Sequence, residues 1–262
     1  MNYSELARRV VTDVRICVSL STILPVGRIT PVNDGDVARA SWALPIAGIL
    51  VGLAGGATYW IAGAVGLTPG PAAILALAST ILVTGALHED GLADTADGLG
   101  GGRTREQKLE IMRDSRIGTY GACALLLLLA LRWSALAAIG KPGTVAAALL
   151  VSHAAARAAL PAFMWLVPPA RTDGLSAKAG PASDQSALIA ACLGILCLVS
   201  VFGMSKAIVA VLLLTLAGLI LGRLAVRQIG GQTGDILGAF EQIGEIAIML
   251  MAAAFFQTGL RP

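Results

Sequence analysis

The stretch Tyr120-Gly-Ala-Cys-Ala-Leu-Leu-Leu-Leu-Leu-Ala-Leu131 carries no charged side chain, and Trp42 to Leu67 is longer and as apolar. A hydrocarbon core about 30 Å thick is crossed by roughly 20 such residues in a helix. The rest of the chain agrees. Of 262 residues 56% are hydrophobic and only 13% charged, against roughly 25% charged in ordinary soluble domains. With a mean hydropathy of +0.79 there is too little polar surface to face water, so the solvent must be lipid. The fold class that follows is all-α: a polytopic membrane bundle in which each helix satisfies its own backbone. A net charge of +3 without a dense basic run excludes a nucleic-acid binder.

Apolar runs give seven spans, with one more or one fewer also compatible: Trp42 to Leu67, Pro71 to Leu87, Thr119 to Ile139, Thr144 to Val167, Ala187 to Phe202, Ala207 to Gly222 and Ile243 to Phe256. The last three are short, which suggests tilted or re-entrant geometry. Positive charge sorts the connections. Fourteen of the 19 Lys and Arg fall on one side: five before the first span, five between spans two and three, then Arg171, Lys178, Arg223 and Arg227. Lys141, Lys206 and Arg261 fall on the other, and Arg132 and Arg157 inside spans. The rule that positive loops stay inside places the N-terminus and the long loops in the cytoplasm.

No repeat or long linker divides the chain, so 1–262 is read as one membrane-embedded domain. Within it, 1–40 is a cytoplasmic or interfacial N-terminal helix, 88–118 an acidic-motif loop and helix, and 223–242 a glycine-rich motif loop. Charges at Glu5, Arg8, Arg9, Asp13 and Arg15 argue against a cleaved signal peptide. Cys17, Cys123, Cys192 and Cys197 form no CxxC pair and read as packing residues.

The most informative polar stretch is His88-Glu-Asp-Gly-Leu-Ala-Asp-Thr-Ala-Asp-Gly. Asp90, Asp94 and Asp97 stand at i, i+4 and i+7, so a helix puts them on one face. Carboxylates about 5 Å apart repel by roughly 3 kcal/mol per pair at an effective dielectric near 20. A hard divalent cation at the membrane border relieves this. Mg²⁺ suits such a site because it takes carboxylate oxygens while keeping waters and substrate phosphates as ligands, and it stabilises charge on a transferring phosphoryl group. The competing reading is a solvated acidic face; apolar Leu92, Ala93 and Leu99 and the glycine-rich turn beside it count against that.

The run Gly98-Leu-Gly-Gly-Gly-Arg103 is expected to close this helix. Thr104 and Gln107 form a capping-box pattern for a second helix. Arg105, Lys108, Arg113, Ser115 and Arg116 around that helix are candidate phosphate contacts, although a topology signal explains the same charges. His88 points to roughly the opposite side from the aspartates and is a candidate general base or phosphate contact.

A second cluster, Gly230-Gly-Gln-Thr-Gly-Asp235-Ile-Leu-Gly-Ala-Phe-Glu241, joins a glycine-rich loop to an apolar helix. Gly231, Thr233 and Asp235 read as a phosphate cradle or as a simple helix cap. Glu241 and Glu245 share a face, and His153 and Arg157 form an i, i+4 pair within a span. Such residues line a polar interior and mark function, making Glu241 and Arg157 candidate substrate contacts. Arg157 and Arg132 can alternatively snorkel to the interface.

On the run from His88 to Gly98, continued by Arg105-Glu-Gln-Lys-Leu-Glu-Ile-Met-Arg-Asp-Ser-Arg-Ile-Gly118 and Gly231-Gln-Thr-Gly-Asp235, the chain resembles the cobalamin synthase family over its whole length. The members are adenosylcobinamide-GDP ribazoletransferases, integral enzymes of the bacterial inner membrane. The resemblance implies that Mg²⁺ holds the diphosphate of adenosylcobinamide-GDP. A ribose hydroxyl of alpha-ribazole, or of its 5'-phosphate, then attacks the phosphorus nearer the cobinamide and GMP leaves. It further implies that Asp90, Asp94 and Asp97 are metal and diphosphate ligands, that Asp114, Ser115 and Arg116 belong to a second motif segment, and that Asp235 belongs to a third. Glu89 departs from the family's pattern, which has an aliphatic or polar residue there. His88, Asp90 and Asp114 stand as candidate catalytic groups. The sequence is compatible with a homo-oligomer and does not specify one.

Two rivals differ in class. A CDP-alcohol phosphotransferase also places aspartates on membrane helices, but the residues after Asp97 do not continue its pattern. A transporter would use Asp94, Glu241 and Arg157 as an ion path, and the gathering of acids at one membrane face argues against it.

Overall fold

A computed structural model describes residues 3–27, 35–174 and 179–257. Arg28, Lys178 and Arg261, counted in the charge sorting, lie outside the described residues. The chain runs α1 (Tyr3–Ser21), α2 (Asp36–Ala40), a single 3-10 turn (Ser41–Ala43), α3 (Leu44–Ala64), α4 (Pro69–Thr84), α5 (Leu87–Gly101), α6 (Arg105–Ile111), α7 (Thr119–Ile139), α8 (Pro142–Leu166), α9 (Asp184–Phe202), α10 (Met204–Ile229) and α11 (Gly234–Gln257). Among the described residues there is no strand, only one isolated parallel bridge between Pro169 and Gln232.

Six helical segments are long and apolar enough to cross a membrane, and α4 with α5 makes a seventh if the bent pair counts as one span. The architecture is the expected all-α membrane bundle. Following the chain, the segments before α2, between α4 and α7, between α8 and α9, and between α10 and α11 fall at one end of the bundle. This end is called the loop face below. Short turns close the other end.

Two expectations about the spans are corrected. The last three are not short: α9, α10 and α11 have 19, 26 and 24 residues, because the helices continue through Asp184, Lys206, Arg223, Arg227 and Glu241. The second span does not run on to Leu87. It stops at Thr84, where Gly85 (φ 63°) and Ala86 (φ 58°) both adopt the left-handed conformation that ends a helix. α5 leaves at 89° to α4.

The lipid requirement is visible on the outside. Leu126, Leu127, Leu196, Leu212, Leu216 and Ile220 are exposed, far more apolar surface than a water-soluble monomer presents. Inside, α3 lies against α8 with backbones nearly touching. A Cβ on Gly48 would sit 2.3 Å from the His153 carbonyl oxygen, and one on Gly52 2.4 Å from Leu150 Cα. Small residues permit that approach, and van der Waals packing then replaces the hydrophobic drive that lipid does not supply.

The N-terminal helix α1 packs at the loop face. Its buried Asp13 accepts from Arg39 and, at 2.9 Å, from Trp42 Nε1. Cys17 is buried there with its thiol donating to the Ala40 carbonyl. Burial, reinforced by Asp13, pushes the thiol up to about 12, so Cys17 is an inert packing residue as expected.

Candidate active site

The 89° bend turns α5 off the line of α4, and its acidic residues are graded in exposure. Asp90 is exposed, Asp94 half-buried and Asp97 buried. The helix continues to Gly101, through glycines expected to end it. Lys108 Nζ donates to the Leu99 carbonyl at 2.6 Å and so satisfies that late turn. The capping box at Thr104 and Gln107 starts α6 as expected.

Asp97 sits on the N-terminus of α7. One oxygen accepts from Gly118 N at 2.7 Å and the other from Gly121 N at 2.9 Å. A Cβ at Gly118 would fall 2.4 Å from the carboxylate, so glycine there is what admits the contact. The charge lies where the helix dipole favours an anion. Asp97 thus clamps α5 to α7 with both oxygens engaged.

Asp235, in the first turn of α11, arrives beside the other two aspartates because α5 and α11 cross glycine to glycine. A Cβ on Gly91 would meet the Asp235 carbonyl oxygen at 3.0 Å and Gly238 Cα at 3.3 Å. The negative charges acting on Asp94 come from Asp90, Asp235 and Asp97, in that order. Two motifs 140 residues apart in the chain therefore converge on one acidic surface. Among the described residues, neither Asp90 nor Asp94 has a hydrogen bond or ion pair through its carboxylate. Asp235 accepts from Thr233 at 3.0 Å and faces Arg171 at 3.7 Å. Arg171 also has a buried Nη1 without a partner. In the sequence Arg171 counts only as a topology charge; its further signal is its place two residues after the stiff Pro168-Pro169.

Several candidate phosphate contacts are otherwise engaged. Arg105 reaches across to close α10, with Nε on the Ile229 carbonyl at 2.8 Å and Nη2 on the Ala170 carbonyl at 2.5 Å. Arg113 pairs with Asp173. Asp114 is partly exposed and held by Arg116 through the backbone N–H and the guanidinium, which keep its carboxyl below the usual carboxylate range. Ser115 lies exposed between them.

Thr233 caps α11 by accepting from Ile236 N. Gly231 is glycine for a packing reason: a Cβ there would lie 2.0 Å from the Pro168 carbonyl oxygen, beside the pairing of Gln232 N with Pro168 O and of Ala170 N with Gln232 O. Gly231→Ala is expected to destabilise the protein by about 1 to 3 kcal/mol through overpacking. It should also displace Asp235, lowering activity. A denaturation curve of the micelle-purified variant that overlays the wild type would refute this.

Behind the acidic surface lies a buried ionic cluster. Arg157 pairs with Glu241 and with Glu245, the latter at 2.7 Å, and its Nη2 lies 3.2 Å from His88 Nδ1. Arg132 faces Glu245 at 3.0 Å and Glu89 at 3.2 Å, and donates to Gln242 at 2.9 Å. His153 contacts Glu245. Arg157 and Glu241, the candidate substrate contacts, are paired with each other inside this cluster. Both are fully buried, and each already neutralises the other, since an unpaired charge at this depth would be too costly. Arg132 does not snorkel; it too is fully buried. His88 belongs to this cluster, on the side of α5 away from the aspartates.

Two places offer oxygen donors for a metal. His153, Glu241 and Glu245 are the set among the described residues whose ligand atoms all lie within 4.8 Å of one another, but Arg132 and Arg157 already supply the countercharge. Neither Asp90, Asp94 and Asp97 nor Asp90, Asp94 and Asp235 close to that spacing. The surface formed by Asp90, Asp94 and Asp235 fits a hard cation better: its carboxylates are uncompensated apart from Arg171, and it leaves positions for water. Asp97, with both oxygens on backbone N–H groups, fits less well than the resemblance implied.

Comparison with known proteins identifies the family. The family model described as cobalamin-5-phosphate synthase matches residues 13–253. A Bradyrhizobium diazoefficiens protein named adenosylcobinamide-GDP ribazoletransferase is 66% identical over 252 residues, 96% of this chain and 97% of that protein. Proteins of the same name from Mesorhizobium japonicum and Xanthobacter autotrophicus are 49% identical over 94% of both chains and 43% identical over 97% of this chain and 99% of theirs. No solved structure matches. A match that takes in both acidic motifs and every membrane helix leaves one conclusion: the chain belongs to the cobalamin-5-phosphate synthase family and is an enzyme of it.

Proposed function

We propose that the protein joins adenosylcobinamide-GDP to alpha-ribazole, or to its 5'-phosphate, and releases GMP. The observation that carries this is the convergence of Asp90 and Asp94 with Asp235 on an open acidic surface, in a chain whose relatives bear the name of that reaction. In the exchange, a ribose hydroxyl oxygen forms a bond to the phosphorus nearer the cobinamide. The bond from that phosphorus to the bridging oxygen breaks, and the oxygen leaves with GMP.

Asp90, Asp94 and Asp235 would hold Mg²⁺, which when bound offsets the charge of the diphosphate and of the departing GMP. Arg171, whose Nη2 faces Asp235, would extend its guanidinium to the phosphates. Asp97 fixes the direction in which Asp94 points by tying α5 to α7. Of the three candidate bases, His88 turns its Nδ1 into the ionic cluster and Asp114 is held by Arg116. Asp90, exposed and without a protein partner, therefore takes the hydroxyl proton on one carboxylate oxygen while the other serves the metal. Positive charge on the loop face, from Arg103 to Arg116 and at Arg223 and Arg227, supports a cytoplasmic active site in the bacterial inner membrane.

The test is GMP release by the full chain in lipid nanodiscs given adenosylcobinamide-GDP and alpha-ribazole. Release is expected only with both acceptor and Mg²⁺, with one cobamide formed per GMP. Undiminished release after chelation would remove the metal role, and no release from folded protein would remove the reaction.

A further inference from the structure

A trough of about 720 Å³ opens between α8, α9 and α10, away from the acidic surface. Small residues make it, among them Ala155, Ala159, Ala191, Gly194 and Gly218. At Gly194 a Cβ would collide with the Ala158 methyl at 2.5 Å, so helix contact is already tight at the floor and the space lies outward. The trough runs along α10 from Val211 to Arg227, about 24 Å at 1.5 Å per residue. That approximates one leaflet with its headgroup layer, about 20 Å. Its loop-face end carries Arg223 and Arg227, one turn apart on α10 and exposed. Neither has a hydrogen bond or ion pair among the described residues.

We propose that this trough binds one anionic glycerophospholipid, with an acyl chain between the helices and the phosphate on Arg223 and Arg227. The shape and length fit a hydrocarbon chain. The two unpaired guanidiniums at the headgroup level fit a phosphate, which Arg holds by paired hydrogen bonds. A corrinoid fits poorly, because its amide-bearing rim would face a wall that, apart from the Thr215 hydroxyl already donating to Val211 O, is aliphatic and aromatic.

Native mass spectrometry of the full chain, released from nanodiscs of equimolar phosphatidylglycerol and phosphatidylcholine, reads the occupant. The wild type is expected to retain one phosphatidylglycerol with a preference of about 30-fold, at roughly fivefold per basic residue near an anionic headgroup. Arg223→Gln with Arg227→Gln should reduce that preference to near unity, while Arg223→Lys with Arg227→Lys keeps most of it. Thr215→Phe, or Ala191→Phe if the first fails to fold, fills the trough and should abolish retention of either lipid. Equal retention of both lipids by the wild type would overturn the proposal, as would a preference that survives the double Gln variant. Displacement of the retained lipid by millimolar inorganic phosphate or by cobinamide would overturn it too, pointing to a free anion or a corrinoid as the occupant.

Discussion

Asp94→Asn is expected to lower turnover by about 10² to 10³, the range seen when one preorganised electrostatic contact to a transition state is removed, and to leave the fold intact. Asp94 is half-buried and its carboxylate has no protein partner, so the amide forfeits no internal contact. What changes is the charge available to a cation and a diphosphate, because Asp90 and Asp235 remain as the neighbouring carboxylates. Asp97→Asn separates the two roles. Its carboxylate accepts from Gly118 N and Gly121 N, and an amide turns one N–H donor pair face to face. That variant should lose stability together with activity. GMP release and a denaturation midpoint, measured on both variants, distinguish them; near wild-type turnover of Asp94→Asn across Mg²⁺ concentrations would discard its assignment.

The membrane bundle was legible because lipid imposes a composition that no other solvent tolerates, and the acidic helix because a spacing of i, i+4 and i+7 has one geometric meaning. Convergence was not legible. Nothing in the run from Gly230 to Asp235 states that Gly91 and Gly238 let two helices touch, and that contact is what brings Asp235 to Asp94. Basic residues meet a related limit: a sequence shows that Arg105 and Lys108 carry charge, not that the ends of α10 and α5 take their donors. The two left-handed residues Gly85 and Ala86 also escape pattern reading. Alanine gives no turn signal, yet these two turn α5 by 89° and make the loop face a site.

Arg157→Met should be the most destabilising single change on the far side of α5, by about 3 to 5 kcal/mol, the cost of breaking a buried ion pair from one side. Arg157 contacts Glu241, Glu245 and His88, so one substitution strips countercharge from two fully buried carboxylates. Arg132 remains for Glu245 and Glu89, leaving one guanidinium against three carboxylates. The double variant Arg157→Met with Glu241→Gln should recover much of the loss, because removing both partners of a buried pair is far cheaper than removing one. Urea or sodium dodecyl sulfate unfolding in mixed micelles reads all three proteins. Additive losses in the double variant would show that the pair is not coupled. Coupling with restored stability but poor turnover would instead assign the cluster a positioning role: its members sit on α5, α7, α8 and α11, and His88 and Glu89 immediately precede Asp90. An ionic lock at that point sets where the acidic surface stands relative to the bundle, which a neutral, well-packed replacement would stabilise without reproducing.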